Sequence, residues 1–233
     1  MSFIVPAVLP SSRKDLEEKL ALFVRLPSIR RIQIDVVDGR FATPASWPYT
    51  APPEFALMVE HGEMLPHLAE HIEYEIDLMC LDALPVAESW LALGASRLTF
   101  HAESMIDIGQ LHTAHSRFGK DAVTIGVALN IASDLSLIEP FVEQIEYVQF
   151  MGIANIGRQG QPFDTRVLEK IRTFHHRHPP IPMQVDGGVS LETAKDLLAL
   201  GVTNLIVGSG IVRATDPFAE VAKFEALKSP YGV

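Results

Sequence analysis

Three aspartates stand near the ends of short apolar runs: Asp35 in RIQIDVV (31–37), Asp77 in YEIDLM (74–79) and Asp186 in IPMQVD (181–186). A carboxylate inside an apolar run is costly unless it is paired, bound to a metal or doing chemistry. Around Asp35, the alternation of Ile32, Ile34 and Val36 reads as a β-strand, and Asp38-Gly39 reads as the turn that stops it. Asp35 therefore lies near the carboxyl end of its strand, with Gln33 two residues earlier on the same face. His101 closes a similar run, RLTFH (97–101). A second group is rich in glycine: Gly157 and Gly160 in NIGRQGQPF, Gly187-Gly188 in DGGVS, and Gly208-Ser209-Gly210 in GSGI. Glycine lets backbone amides approach a ligand closely, and such loops cradle phosphate. Tight turns alone would also use glycine, but three successive loops favour the phosphate reading.

These residues need elements to hold them. Eight apolar, β-branched runs recur along the chain: FIVPAVL (3–9), RIQIDVV (31–37), YEIDLM (74–79), RLTFH (97–101), VTIGVAL (123–129), EYVQFM (146–151), IPMQVD (181–186) and NLIVG (204–208). Helical patterns lie between most of them. RKDLEEKLALFVRL carries Leu16, Leu20 and Phe23 on one stripe, and LDALPVAESWLALG and SLETAKDLLALG both end in glycine. Strands alternating with helices imply a parallel sheet, and eight such units predict a closed (β/α)8 TIM barrel. A doubly wound open sheet is the alternative, but no G-x-G-x-x-G follows the first strand. In a barrel, Asp35, Asp77, His101 and Asp186 converge on the carboxyl-end mouth, and the glycine loops line its far side.

Composition sets the frame. The 233 residues are 48% hydrophobic and 21% charged, a globular balance, and no linker or repeat divides them, so one domain over residues 1–233 is expected. A net charge of −10 without a basic cluster argues against nucleic acid and against an anionic membrane surface as partners. No apolar run reaches the roughly 18 residues that would span a bilayer, and the opening MSFIVPAVLP reads as a first strand rather than a signal peptide. The single cysteine, Cys80, rules out an intramolecular disulfide, fits a reducing cytoplasm and reads as core packing.

The order IDVVDG, DLM, LTFHAE, VQFM…NIGRQGQPF, VDGGVS and VGSGI resembles the ribulose-phosphate 3-epimerase family, from about residue 3 to about residue 217. DGG and GSG occur in many phosphate-binding barrels, whereas IDVVDG, LTFHAE and G-x-x-G-Q-x-F are far more specific. The resemblance implies a barrel that inverts one carbon of a ketopentose phosphate. Asp35 and Asp186 would face each other across the substrate as an acid/base pair, passing through a planar enediolate. It also implies a divalent metal against the enediolate oxygens.

The chain departs from the family where that metal would sit. The family holds it with the two aspartates and two histidines, and the histidine positions here are Gln33 and Asp77. Asp35, Asp77 and Asp186 with Gln33 form an oxygen-rich set that suits Mg²⁺ or Mn²⁺ better than Zn²⁺. Without a cation, three carboxylates in one mouth should raise at least one pKa. Ala7 stands where the family has serine, Ile131 where it has proline, and Asn155-Ile156-Gly157-Arg158-Gln159-Gly160-Gln161 where it has N-P-G-F-G-G-Q. Arg158 thus replaces an apolar residue, and reads either as a solvated arginine or as a clamp on phosphate or carboxylate. With Gly157, Gly160, Gly187, Gly188, Gly208 and Ser209 it completes the expected phosphate site.

The remaining polar residues read more plainly. His101 is either a ligand-orienting group or a satisfied structural hydrogen bond. His67 and His71 fall on one predicted helix face at i,i+4 spacing, at the end of the barrel opposite the carboxylates, and read as surface histidines. His175-His176-Arg177-His178 reads as a polar helix end before Pro179-Pro180. Three functional readings follow: an epimerase-type isomerase on a phosphorylated ketose, a catalytically impaired phosphosugar binder, and a barrel lyase. The D-x-K-x-x-D motif of sugar-phosphate decarboxylases is absent around Asp35 and Asp77, which disfavours the lyase. The sequence leaves the sugar, the presence of metal and the formation of a homo-oligomer open.

Overall fold

The computed structural model describes residues 3–68, 72–104, 116 and 122–227. Its strands are β1 (Ile4–Val8), β2 (Arg31–Val37), β3 (Glu73–Met79), β4 (Arg97–His101), β5 (Thr124–Leu129), β6 (Tyr147–Met151), β7 (Met183–Asp186) and β8 (Asn204–Val207). All neighbours pair in parallel, and β8 returns to β1, so the sheet closes as a barrel in chain order. The described helices are α1 (Arg13–Phe23), α2 (Pro52–Glu60), α3 (Ala83–Ala92), α4 (Arg166–Arg177), α5 (Leu191–Ala199), α6 (Ser209–Val212) and α7 (Pro217–Glu225).

Local chemistry explains the helix starts. The Ser12 side chain accepts the Asp15 amide at the head of α1, and Asp216 accepts the Ala219 amide at the head of α7. Ser190 and Thr193 exchange hydrogen bonds in a capping box that opens α5. The stripe Leu16, Leu20 and Phe23 is buried against the barrel, as its spacing predicts. At the far end of α4, His175, His176 and Arg177 lie in the last turn and His178 caps it, also as predicted.

Each strand is buried on both faces, and the two faces differ in chemistry. The outward residues, such as Ile32, Ile34 and Val36 on β2 or Ile76 and Leu78 on β3, pack with the helices in one large apolar cluster. The inward residues of β2, β3, β4, β6 and β7 are mostly polar: Gln33, Asp35, Glu75, Asp77, Thr99, His101, Gln149, Gln184 and Asp186 are all buried. A small apolar contact of Val5, Ala7 and Ile206 fills the β1–β8 side. Gly126 on β5 leaves room for the Tyr147 ring, because a Cβ there would lie 2.3 Å from it.

One expectation fails. His67 does not lie on a helix; it occupies a turn with φ of 65°. Pro66 supplies no amide hydrogen and disfavours helical backbone at Leu65, whose own amide is drawn to Leu93 O at 2.8 Å. His71 lies outside the described residues. Cys80 is buried as read, and burial pushes its thiol up to about 12.

Candidate active site

Closure of the barrel turns a repeated sequence position into one site. Asp35 and Asp77 are register partners on β2 and β3, and Asp186 pairs with Met151 and Ile206 on the opposite wall. One carboxylate oxygen from each of Asp35, Asp77 and Asp186 lies within 4.8 Å of the other two. Gln33 sits between them. Its Nε2 donates to Asp35 Oδ1 at 2.9 Å and to Asp186 Oδ2 at 3.2 Å, while its Oε1 is buried without a hydrogen-bond partner. His101 is also in the cluster: its Nε2 lies 2.9 Å from Asp77 Oδ1, and Phe41 packs edge-on against its ring. The His101 Nδ1 is buried without a hydrogen-bond partner, so only one of the two ring nitrogens is satisfied.

Burial raises the Asp35 pKa well above its ordinary value, with the charges of Asp186 and Asp77 adding to the rise and the Gln33 hydrogen bond opposing it. Asp186 is pushed up to about 7, again first by burial and then by Asp77. For His101, burial opposes protonation, but the Asp77 carboxylate outweighs it and the pKa is raised. The increase expected from three clustered carboxylates is therefore present in two of them.

Below this cluster lies a ladder that the sequence reading missed. Gln149 Nε2 donates to Asp77 Oδ2 at 3.0 Å, and Gln184 Nε2 donates to Gln149 Oε1 at 2.8 Å and also to Glu75 Oε1. Glu75 further accepts from Thr99 Oγ1 at 3.1 Å, Arg97 Nε at 3.1 Å and Arg31 Nη1 at 3.4 Å. Glu75 accepts from every partner, so Gln184 must turn its NH₂ downward, and its second donor then meets the Gln149 oxygen. Gln149 is left with its NH₂ facing Asp77. A signal was available: Glu75 and Gln184 precede Asp77 and Asp186 by two residues, and so share their face.

The glycine loops border the same cleft. Asp35, Asp186, Gly157, Arg158, Gly160, Gly187, Gly188, Gly208 and Ser209 all line it, so the structure brings together the predicted acid/base and phosphate residues. Gly188 has φ of 68° and passes so close to Phe163 that a Cβ would lie 2.6 Å from the Phe163 Cα. At Gly208 a Cβ would lie 2.6 Å from the amide nitrogen of the Gln159 side chain. Arg158 is exposed, and its Nε donates to Thr43 O at 2.9 Å.

The donor set fits a divalent cation. Three buried carboxylates supply charge, burial and then mutual repulsion raise the pKa of Asp35 and Asp186, and the unpartnered Gln33 Oε1 would become a fourth oxygen if the amide turned over. Among the described residues no helix is long and apolar enough to cross a membrane.

A closed parallel sheet of eight strands in chain order, with an acidic cluster and three glycine loops at its carboxyl-end mouth, defines a (β/α)8 barrel. The 3-hexulose-6-phosphate synthase of Salmonella typhimurium superposes with a TM-score of 0.67 at 17% identity, covering 96% of this chain and 97% of that one. More specifically, the chain belongs to the ribulose-phosphate 3 epimerase family, whose model matches residues 3–212. It is similar to the ribulose-phosphate 3-epimerase of Aquifex aeolicus, 25% identical over 233 residues and 97% of each chain. It is likewise similar to that of Schizosaccharomyces pombe, 24% identical over 214 residues, 92% of this chain and 88% of the other. The family is one of isomerases, and divalent-metal dependence is typical of it.

Proposed function

We propose that this protein is an isomerase of the ribulose-phosphate 3-epimerase type, acting on a phosphorylated ketose with Asp35 and Asp186 as its acid/base pair. The observation that carries the reading is the placement of two buried carboxylates with raised pKa values in one glycine-lined cleft. Epimerisation needs one ionised carboxylate to take the proton alpha to the ketone and one protonated carboxyl to return a proton to the opposite face. A coupled pair with both pKa values raised, that of Asp186 to about 7, favours one proton shared between the two carboxyls and so supplies both forms. After one passage the two have exchanged protonation states, and exchange with solvent or the reverse reaction resets them.

Asp35, Asp77 and Asp186 would hold a divalent cation, with Gln33 a weak fourth ligand. That ion supplies positive charge to the enediolate oxygens when bound. The oxygen-rich set favours Mg²⁺ or Mn²⁺ over Zn²⁺. Wild-type affinity is expected to be weak, because an amide replaces one family histidine and Asp77 already has both oxygens in hydrogen bonds to His101 and Gln149. Backbone amides around Gly157, Gly187-Gly188 and Gly208-Ser209 would hold the phosphate, and Arg158 lines the same cleft on its β2 side. The whole chain would act as one domain, in the cytoplasm, with no nucleic-acid or membrane partner.

A second reading is a catalytically impaired phosphosugar binder, and the Gln33 amide between the two aspartates is the observation that favours it. Incubating the protein with ribulose 5-phosphate and other ketose phosphates in D₂O, with Mg²⁺ or Mn²⁺ present, separates the two. Deuterium entry at the carbon alpha to the ketone, abolished by Asp186→Asn, is expected. Binding without any exchange for any ketose phosphate would establish the binder instead.

A further inference from the structure

We infer that the substrate carries a second anionic group, at the end remote from its phosphate, and that Arg158 recognises it. The inference rests on the phosphate reading of the glycine loops. It adds a charge requirement that the family resemblance does not contain, because the family has an apolar residue at this position.

The first observation is where cations stand unpaired. In a chain with 29 acidic and 19 basic residues, a lone guanidinium has many carboxylates to choose from. Arg13, Arg31, Arg97, Arg166, Arg172 and Arg177 each pair with one. Arg25, Arg30, Arg40, Arg158 and Arg213 have no carboxylate partner among the described residues, and of these Arg158 and Arg213 stand on the loops after β6 and β8 that border the cleft. Arg158 spends its Nε on Thr43 O at 2.9 Å, and its two terminal nitrogens have no acceptor there. The anchor holds the fork in place while leaving its paired donors free, which suits bidentate binding of carboxylate or phosphate.

The second observation separates the two arginines. The loop 157–160 spans the mouth. At its first end a Cβ on Gly157 would lie 3.0 Å from Ala42 Cβ, so this end and Arg158 rest on the loop that follows β2. At its other end Gln159 lies against Gly208, and a Cβ on Gly160 would fall 3.0 Å from Arg213 Nη1. Arg213 thus belongs with the proposed phosphate cradle, and Arg158 with the β2 side. Beyond Arg158 a polar hollow opens, lined by Phe41, Thr43 and Asn155, and Arg158 borders both it and the main cleft. A ligand with its phosphate on Gly188 and Gly208 and its reacting carbon between Asp35 and Asp186 has its remaining end free to reach this side. An anion so close to three aspartates is repelled unless a fixed cation meets it, and Arg158 is that cation.

Either a carboxylate or a second phosphate has the required chemistry, and three probes distinguish them. Isothermal titration would compare a four-carbon polyol monophosphate, the same compound with its far CH₂OH oxidised to carboxylate, and the corresponding bisphosphate. Wild-type protein should bind at least one dianionic-ended probe about tenfold or more tighter than the monophosphate, as one charge-assisted bidentate contact provides. Arg158→Gln should erase that preference, bringing the three probes to one affinity, whereas Arg213→Gln should weaken all three and keep their ratio. Equal wild-type binding of the three, or an Arg158→Gln loss that is the same for all, would overturn the inference while leaving the phosphate site standing. Binding of none of them would overturn the phosphate reading, and this inference with it.

Discussion

Asp186 offers a direct measurement of how strongly burial and mutual repulsion act on the acidic cluster. Its pKa rises from 3.8 to about 7, chiefly through burial and then through the Asp77 charge. A carboxyl with a folded pKa above its unfolded value keeps its proton in the native state across the interval between them. The native state then binds more protons than the unfolded one, so stability falls as pH rises through that interval and levels off above about 7. At about 1.4 kcal/mol per pH unit, the whole rise corresponds to about 4 kcal/mol lost between acid and mildly alkaline solution. Asp35, raised well above its usual range by burial and then by the Asp186 and Asp77 charges, acts in the same sense. His101, also raised, contributes stability below its unfolded pKa that is lost as pH rises through the folded one, again in the same sense. The Asp186→Asn variant removes one group of the three, together with the part of the Asp35 and His101 shifts that the Asp186 charge causes. Urea unfolding with a chelator present, from about pH 5 to about pH 8, should show the stability of the wild type relative to Asp186→Asn falling by about 3 kcal/mol, the share of the loss that lies above pH 5. Millimolar Mg²⁺ or Mn²⁺ should restore much of the loss at the alkaline end, because a cation that binds only the folded, ionised cluster stabilises it by mass action. A stability difference that is flat with pH, or that rises, would refute the reasoning about burial and mutual repulsion.

Two further outcomes follow from the same geometry. Replacing both departed ligands, Gln33→His with Asp77→His, should convert the oxygen-rich set to a mixed one and raise zinc affinity, read by competition with a chromophoric chelator; tight stoichiometric zinc already present in the wild type would contradict the premise. Glu75→Leu should destabilise the fold by about 3–5 kcal/mol in chemical denaturation, since it strips Arg97 and Arg31 of their buried partner and removes the acceptor that orients Gln184 and Gln149; a loss below about 1 kcal/mol would mean the ladder is not held by Glu75.

The sequence by itself determined the eight strands, the (β/α)8 order and the convergence of Asp35, Asp77 and Asp186, because these follow from periodicity and from the rule that catalytic loops gather at one end of a barrel. The family resemblance further implied that Gln33 and Asp77 stand where metal-ligand histidines are expected, a reading that needs only residue identity once the resemblance is made. Position along a strand gives the face and the height of a side chain, but not what stands opposite it. Only closure of the barrel decided that Gln33 places its NH₂ between Asp35 and Asp186, that His101 bonds to Asp77, and that Gln149 and Gln184 join Asp77 to Glu75 across strands 72 and 109 residues apart in sequence. The His67 turn was lost to the sequence reading for the converse reason. An i,i+4 spacing is local, whereas the Leu65–Leu93 hydrogen bond and the constraint from Pro66 that draw the backbone out of a helix are tertiary and stereochemical. Periodicity carries the one-dimensional part of burial, and hydrogen-bond direction inside a closed barrel belongs to the third dimension.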